Sequence, residues 1–105
     1  MTYTVPIMTW IINIHRKVIK HLNKLRHDNL IAALRLLIND LEKNGPMPGK
    51  GWRNYGKLKT AGKVDRRHCH LIKGQPTYVC CWEVRDKTIQ LIEVYYVGTH
   101  EKAPY

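Results

Sequence analysis

The chain has 105 residues, with 18 Lys and Arg against 8 Asp and Glu and a formal net charge of +10 at pH 7. That length suits one hydrophobic core and excludes a second, regulatory module. The charge favours a polyanionic partner, because phosphates neutralised by Lys and Arg release their counterions, and no apolar run reaches the ~18 residues of a membrane-spanning helix.

A secretory leader is not expected either, since Asn13, His15, Arg16 and Lys17 break the opening apolar run. Three cysteines without CxxC spacing, Cys69, Cys80 and Cys81, suit a reducing cytosol and a core-filling role. The expectation is a single cytoplasmic domain over residues 1–105, with no membrane contact.

Thr2 to Met8 reads as a short strand, with Pro6 confining it to an edge or cutting it short. From Thr9 the period changes, and Ile11, Ile14, Val18, Leu22 and Leu25 predict an amphipathic helix. Arg26-His27-Asp28-Asn29 interrupts it and supplies an N-cap for a second helix carrying Leu30, Leu34, Leu37 and Leu41. Asn44-Gly45-Pro46 stops that helix. The two helices predict a hairpin whose apolar stripes cover a sheet.

Residues 46–64 form a Gly- and Lys-rich stretch. Trp52 and Tyr55 are either packing anchors or stacking surfaces for bases. Lys57 and Lys59 face outwards, where they suit contact with an RNA backbone.

A run beginning Arg66-Arg67-His68-Cys69-His70 follows, then two runs rich in Val, Ile, Tyr and Trp, from Thr77 to Val84 and from Thr88 to Val97. The turns Lys73-Gly74-Gln75-Pro76 and Arg85-Asp86-Lys87 join them into antiparallel strands. In the first, Arg66, His68 and His70 form one row and Arg67, Cys69 and Leu71 the other. Metal-free RNA cleavage requires a base for the 2′-hydroxyl, an acid for the leaving 5′-oxygen and cations for the phosphate. His68 and His70 beside Arg66 offer these types, because nearby cations favour the neutral imidazole. Arg67 joins the set of RNA- or ribosome-contacting cations. His-x-His with a third histidine also matches a three-histidine zinc centre. No carboxylate that would orient such ligands stands nearby in the sequence, so neither metal nor cofactor is expected.

Asn54-Tyr55-Gly56-Lys57-Leu58, His68-Cys69-His70, Pro76-Thr77-Tyr78-Val79, Trp82-Glu83-Val84 and the run from Glu93 to Tyr105 together resemble the RelE/ParE superfamily of type II toxin-antitoxin toxins. Within it the chain is most similar to RelE/HigB-like mRNA endonucleases. The resemblance implies an α+β fold in the order β-α-α-β-β-β. It also implies a ribosome-dependent endoribonuclease that cuts mRNA in the ribosomal A site, stops translation, contacts ribosomal RNA and is neutralised by a cognate antitoxin. Basic or histidine side chains on the family's first long strand handle the phosphate and the proton. A basic residue after the last strand and a Tyr a few positions on correspond to His100 and Tyr105, which would act as acid or phosphate ligand and as stacking or proton-transfer partner. Some relatives carry an Arg near the start of the second long strand, where this chain has Tyr78-Val79. A ParE-like gyrase poison shares the fold without needing these histidines, and a non-catalytic RNA-binding domain is the third alternative.

Overall fold

The computed structural model describes residues 9–105, so the strand expected over Thr2 to Met8 lies outside the described residues. Strand β1 (Ile11–Ile14) leads into helices α1 (Arg16–Leu25) and α2 (Asp28–Asn44). Strands β2 (Gly56–Lys57), β3 (Asp65–Ile72), β4 (Tyr78–Asp86) and β5 (Leu91–Thr99) follow, and a 3₁₀ turn spans His100–Lys102. The protein is α+β, with two helices packed on one five-stranded sheet in the order β1-β5-β4-β3-β2.

Two expectations about the sheet are corrected. Ile11 and Ile14 belong to a strand and not to the first helix. Three β-branched residues in four favour extended backbone, and β1 pairs in parallel with β5 from Ile11 opposite Leu91 to Ile14 opposite Val94. The sheet is therefore mixed and not wholly antiparallel. The two-residue β2, which pairs Gly56 with His68 and Lys57 with Arg67, was not anticipated.

Both helices begin at a histidine cap, the second within the Arg26–Asn29 run expected to supply one. His15 Nδ1 accepts from the Lys17 N–H at 3.1 Å and His27 Nδ1 from the Leu30 N–H at 3.1 Å, so both imidazoles satisfy first-turn donors. Gly45 ends α2 at φ 81°, and a Cβ there would lie 2.8 Å from Trp10 Nε1. Only glycine meets both demands.

Packing follows the leucine stripe. Leu30, Leu34, Leu37 and Leu41 of α2 are almost completely buried, together with Val18 and Leu22 of α1. They meet Cys69, Cys80, Trp82, Ile92, Val94 and Val97 from one sheet face. Each such leucine contributes about 1.5–3 kcal/mol relative to an exposed one. Trp82 is fully buried and its indole N–H donates to the Pro46 carbonyl at 3.2 Å.

The 46–64 stretch is fastened to the same face. Tyr55 stacks on Trp82 with centroids 6.1 Å apart, and Trp52 donates to Asp40 at 2.8 Å. Arg67 donates twice to Asp65, at 3.0 Å each, and to the Tyr55 hydroxyl at 2.9 Å. Those hydrogen bonds hold the Asp65 carboxyl below its usual range. Arg67 is thus an internal fastener, with a side chain only 16% exposed. Removing it strands a nearly buried carboxylate. Arg67→Ala should lower the unfolding free energy by about 3 kcal/mol, and Lys57→Ala should change it by less than about 0.5 kcal/mol, both measured by urea denaturation.

Candidate functional site

The candidate site lies on the sheet face opposite the leucine stripe. Alternation along β3 sends Asp65 and Cys69 into the covered side and Arg66, His68 and His70 to the other. His68 stands opposite Cys81 of β4 and Gly56 of β2, and His70 opposite Val79. A Cβ on Gly56 would come within 3.3 Å of His68 Nε2, so the missing side chain gives the imidazole its seat. His68 Nδ1 is buried and has no hydrogen-bond partner among the described residues.

His100 arrives from the far end of β5. Its N–H donates to the Thr77 carbonyl at 2.8 Å, and its own carbonyl accepts from the Ala103 N–H at 3.2 Å. Just before it, the Tyr96 hydroxyl donates to the Thr99 carbonyl at 2.7 Å. The phenol fits because residue 98 is glycine: a Cβ there would lie 2.6 Å from that oxygen. Tyr96, Gly98 and Thr77 together fix where β5 ends and His100 begins.

These elements bring four expected site residues together. The ring centroids of His70 and His100 are 5.4 Å apart and nearly perpendicular, those of His68 and Tyr105 are 4.8 Å apart, and those of His100 and Tyr105 are 6.0 Å apart. Tyr105 is half exposed, with its ring tilted 34° to that of His68. Arg66 lies at the border of this group, its guanidinium 4.9 Å from the Tyr95 ring centroid and its Nε donating to Glu83 at 3.0 Å. Burial alone would raise the Glu83 carboxyl, but hydrogen bonds from Arg85 and Arg66 outweigh it and hold the group below its usual range.

Burial lowers the pKa of His68, with smaller contributions from His70 and His100, and burial followed by His100 lowers that of His70. Both shifts favour the neutral imidazole, the form that can accept a proton. Clustering among the histidines, and not the expected effect of Arg66, supplies the electrostatic part. The thiols play no such role: burial pushes Cys69 and Cys81 up to about 12, which keeps them protonated.

The remaining expected contacts are elsewhere. Arg67, Trp52 and Tyr55 belong to the covered face and its fastenings. Lys57 is exposed and lines a separate cleft of about 470 Å³ with Lys63, Arg85 and Lys87. Lys59 is exposed on the segment after β2. No group of three His, Cys, Asp or Glu among the described residues is arranged to hold a metal ion, and no described helix is long and apolar enough to cross a membrane. The sequence does not single out Gly56, Tyr96, Gly98 or Thr77 as site residues: the two glycines act by lacking a side chain, Thr77 through its carbonyl and Tyr96 through a hydroxyl aimed at a main-chain carbonyl.

Comparison with protein-family models, with curated proteins and with solved structures finds no match to this chain. The functional reading accordingly stands on the residues and their geometry.

Two outcomes follow from the geometry. Unfolded imidazoles titrate near 6.5 and those of His68 and His70 lower, so the unfolded chain binds more protons in that interval. Their contribution to stability is complete above about pH 6.5 and is lost as pH falls through the folded values. Urea unfolding at pH 7.5 and pH 5 should show a smaller acid loss for His68→Gln/His70→Gln than for the parent chain. Tyr96→Phe should cost about 1 kcal/mol and shift the His100 ring resonances in NMR spectra while leaving those of His15 in place.

Proposed function

We propose that this protein is a RelE/HigB-like toxin of a type II toxin-antitoxin pair, an endoribonuclease that cuts mRNA in the ribosomal A site. The observation that carries this reading is the convergence of His68, His70, His100 and Tyr105 beside Arg66 on one sheet face. The α+β arrangement of two helices on a sheet is compatible with a RelE-like fold.

In this reading a neutral imidazole, His68 or His70, takes the proton of the 2′-hydroxyl. The 2′-oxygen forms a bond to phosphorus and the bond from phosphorus to the 5′-oxygen breaks. His100 gives that oxygen a proton, leaving a 2′,3′-cyclic phosphate and a 5′-hydroxyl. Glu83 engages Nε of Arg66, so the Nη groups can face the phosphate as negative charge builds. Tyr105 offers its half-exposed ring to a base. Ribosomal RNA meets the basic surface, Lys57 and Lys59 included, and a cognate antitoxin covers the protein when translation must continue.

Primer extension on a defined mRNA with purified ribosomes tests the reading. The parent chain should give cuts confined to the A-site codon, and His68→Ala/His70→Ala should reduce them by at least about 100-fold, the lower range for a lost acid-base group. Active protein that leaves the message intact but blocks gyrase supercoiling would replace this reading with the gyrase-poison one.

A further inference from the structure

A cleft of about 440 Å³ opens between α1 and the last residues of β5. It follows from the shortness of β1. The parallel pairing stops at Ile14 opposite Val94, the chain turns into α1 two residues later, and the rest of β5 has that helix beside it. The volume falls within the range of small-molecule sites.

The floor and walls of this cleft are apolar. Val18 and Val97 lie almost completely buried at its base, and Leu25, Tyr78 and Tyr96 are half-buried along it. Both tyrosines are already held by the protein. The Tyr78 ring meets His27 edge-on with centroids 5.1 Å apart, and the Tyr96 hydroxyl donates to the Thr99 carbonyl at 2.7 Å. A ligand entering here meets walls that need little ordering, which favours affinity.

The mouth is cationic. A spacing of four puts Lys17 and His21 in one column of α1 with Leu25, and Lys102 comes from the turn after β5. All three are exposed, and among the described residues none joins an ion pair. No Asp or Glu lines this cleft, whereas the one at Lys57 has Asp65 and Asp86 beside its lysines. An apolar trough under unpaired cations is complementary to a molecule that carries both an apolar body and a negative charge.

We infer that this cleft binds a small amphiphilic anion, an alkyl chain ending in a carboxylate. The chain lies on Val18, Val97 and the tyrosine rings, and the carboxylate stays at the mouth among the cations. A phosphodiester backbone would meet the lysines and leave the trough unfilled, and a neutral apolar molecule would fill the trough and leave the lysines unpaired. The inference does not rest on the nuclease reading, since His68, His70 and Tyr105 do not line this cleft.

Titration of the whole chain with octanoate, followed by amide NMR shifts, tests the inference. Octanoate should shift the Val18, Leu25, Tyr78 and Val97 amides and bind about tenfold more tightly than octanol, the range of a few exposed ion pairs. Octylammonium should bind more weakly than octanol. Hexanoate, two methylenes shorter, should bind about tenfold more weakly than octanoate. Lys17→Gln/His21→Gln/Lys102→Gln, three exposed substitutions, should bring octanoate down to the affinity of octanol without changing that of octanol. Equal affinity for octanoate and octanol, no dependence on chain length, or an octanoate preference that survives the triple substitution would overturn the inference. So would shifts at these amides that appear with rising protein concentration or with an acidic amphipathic peptide but not with octanoate, because the cleft would then belong to a second copy or to a protein partner.

Discussion

Everything in this protein depends on the two-residue repeat of β3. A strand can place neighbouring side chains only on opposite faces, so Asp65, Arg67 and Cys69 are committed to the leucine-covered side once Arg66, His68 and His70 are committed to the other. Neither row can shift without the other, because a one-residue slip would put imidazoles in the core and a thiol in the site. The pairing with β4 over seven matched positions holds that register. Stability and candidate chemistry thus share a backbone and divide its side chains.

The site adds little specialised structure to that division. Its imidazoles are placed by a glycine under His68, a main-chain hydrogen bond at His100 and a tyrosine side chain folded over Gly98. The irregularity between Cys81 and Trp82 contributes too. Cys81 pairs with Tyr96 and Trp82 with Val94, so Tyr95 is the extra residue of a bulge. That residue lies under the Arg66 guanidinium, while Tyr96 turns towards Thr99. One inserted residue serves two ends of the site.

Much of this was legible where a periodicity was unambiguous. Leu30, Leu34, Leu37 and Leu41 announced α2, Asn44-Gly45-Pro46 announced its end, and alternation announced the Arg66, His68 and His70 row. The first helix is legible from Val18 to Leu25, but its start is not, because Ile11 and Ile14 fall on the same helical spacing by coincidence and partnership with a strand eighty residues away leaves no local mark. Arg67 was read as an RNA contact from its charge, although its parity with Cys69 already placed it on the covered side. The seat of His68 and the clamp at His100 were invisible, since a glycine's absent side chain acquires meaning only when a distant strand is laid against it.

The sheet's two outer strands are its shortest, four residues in β1 and two in β2. An unpaired strand edge is a template on which another chain can add a strand, and its hazard grows with its length. Here β1 pairs with Leu91 to Val94 of β5 and β2 with Arg67 and His68 of β3, so each outer strand is a short fragment, and β2 places Gly56 and a lysine on the boundary. Edge strands this short offer little template for the growth of a continuous intermolecular sheet, so the sheet can leave its second face uncovered by helices without becoming a seed for aggregation.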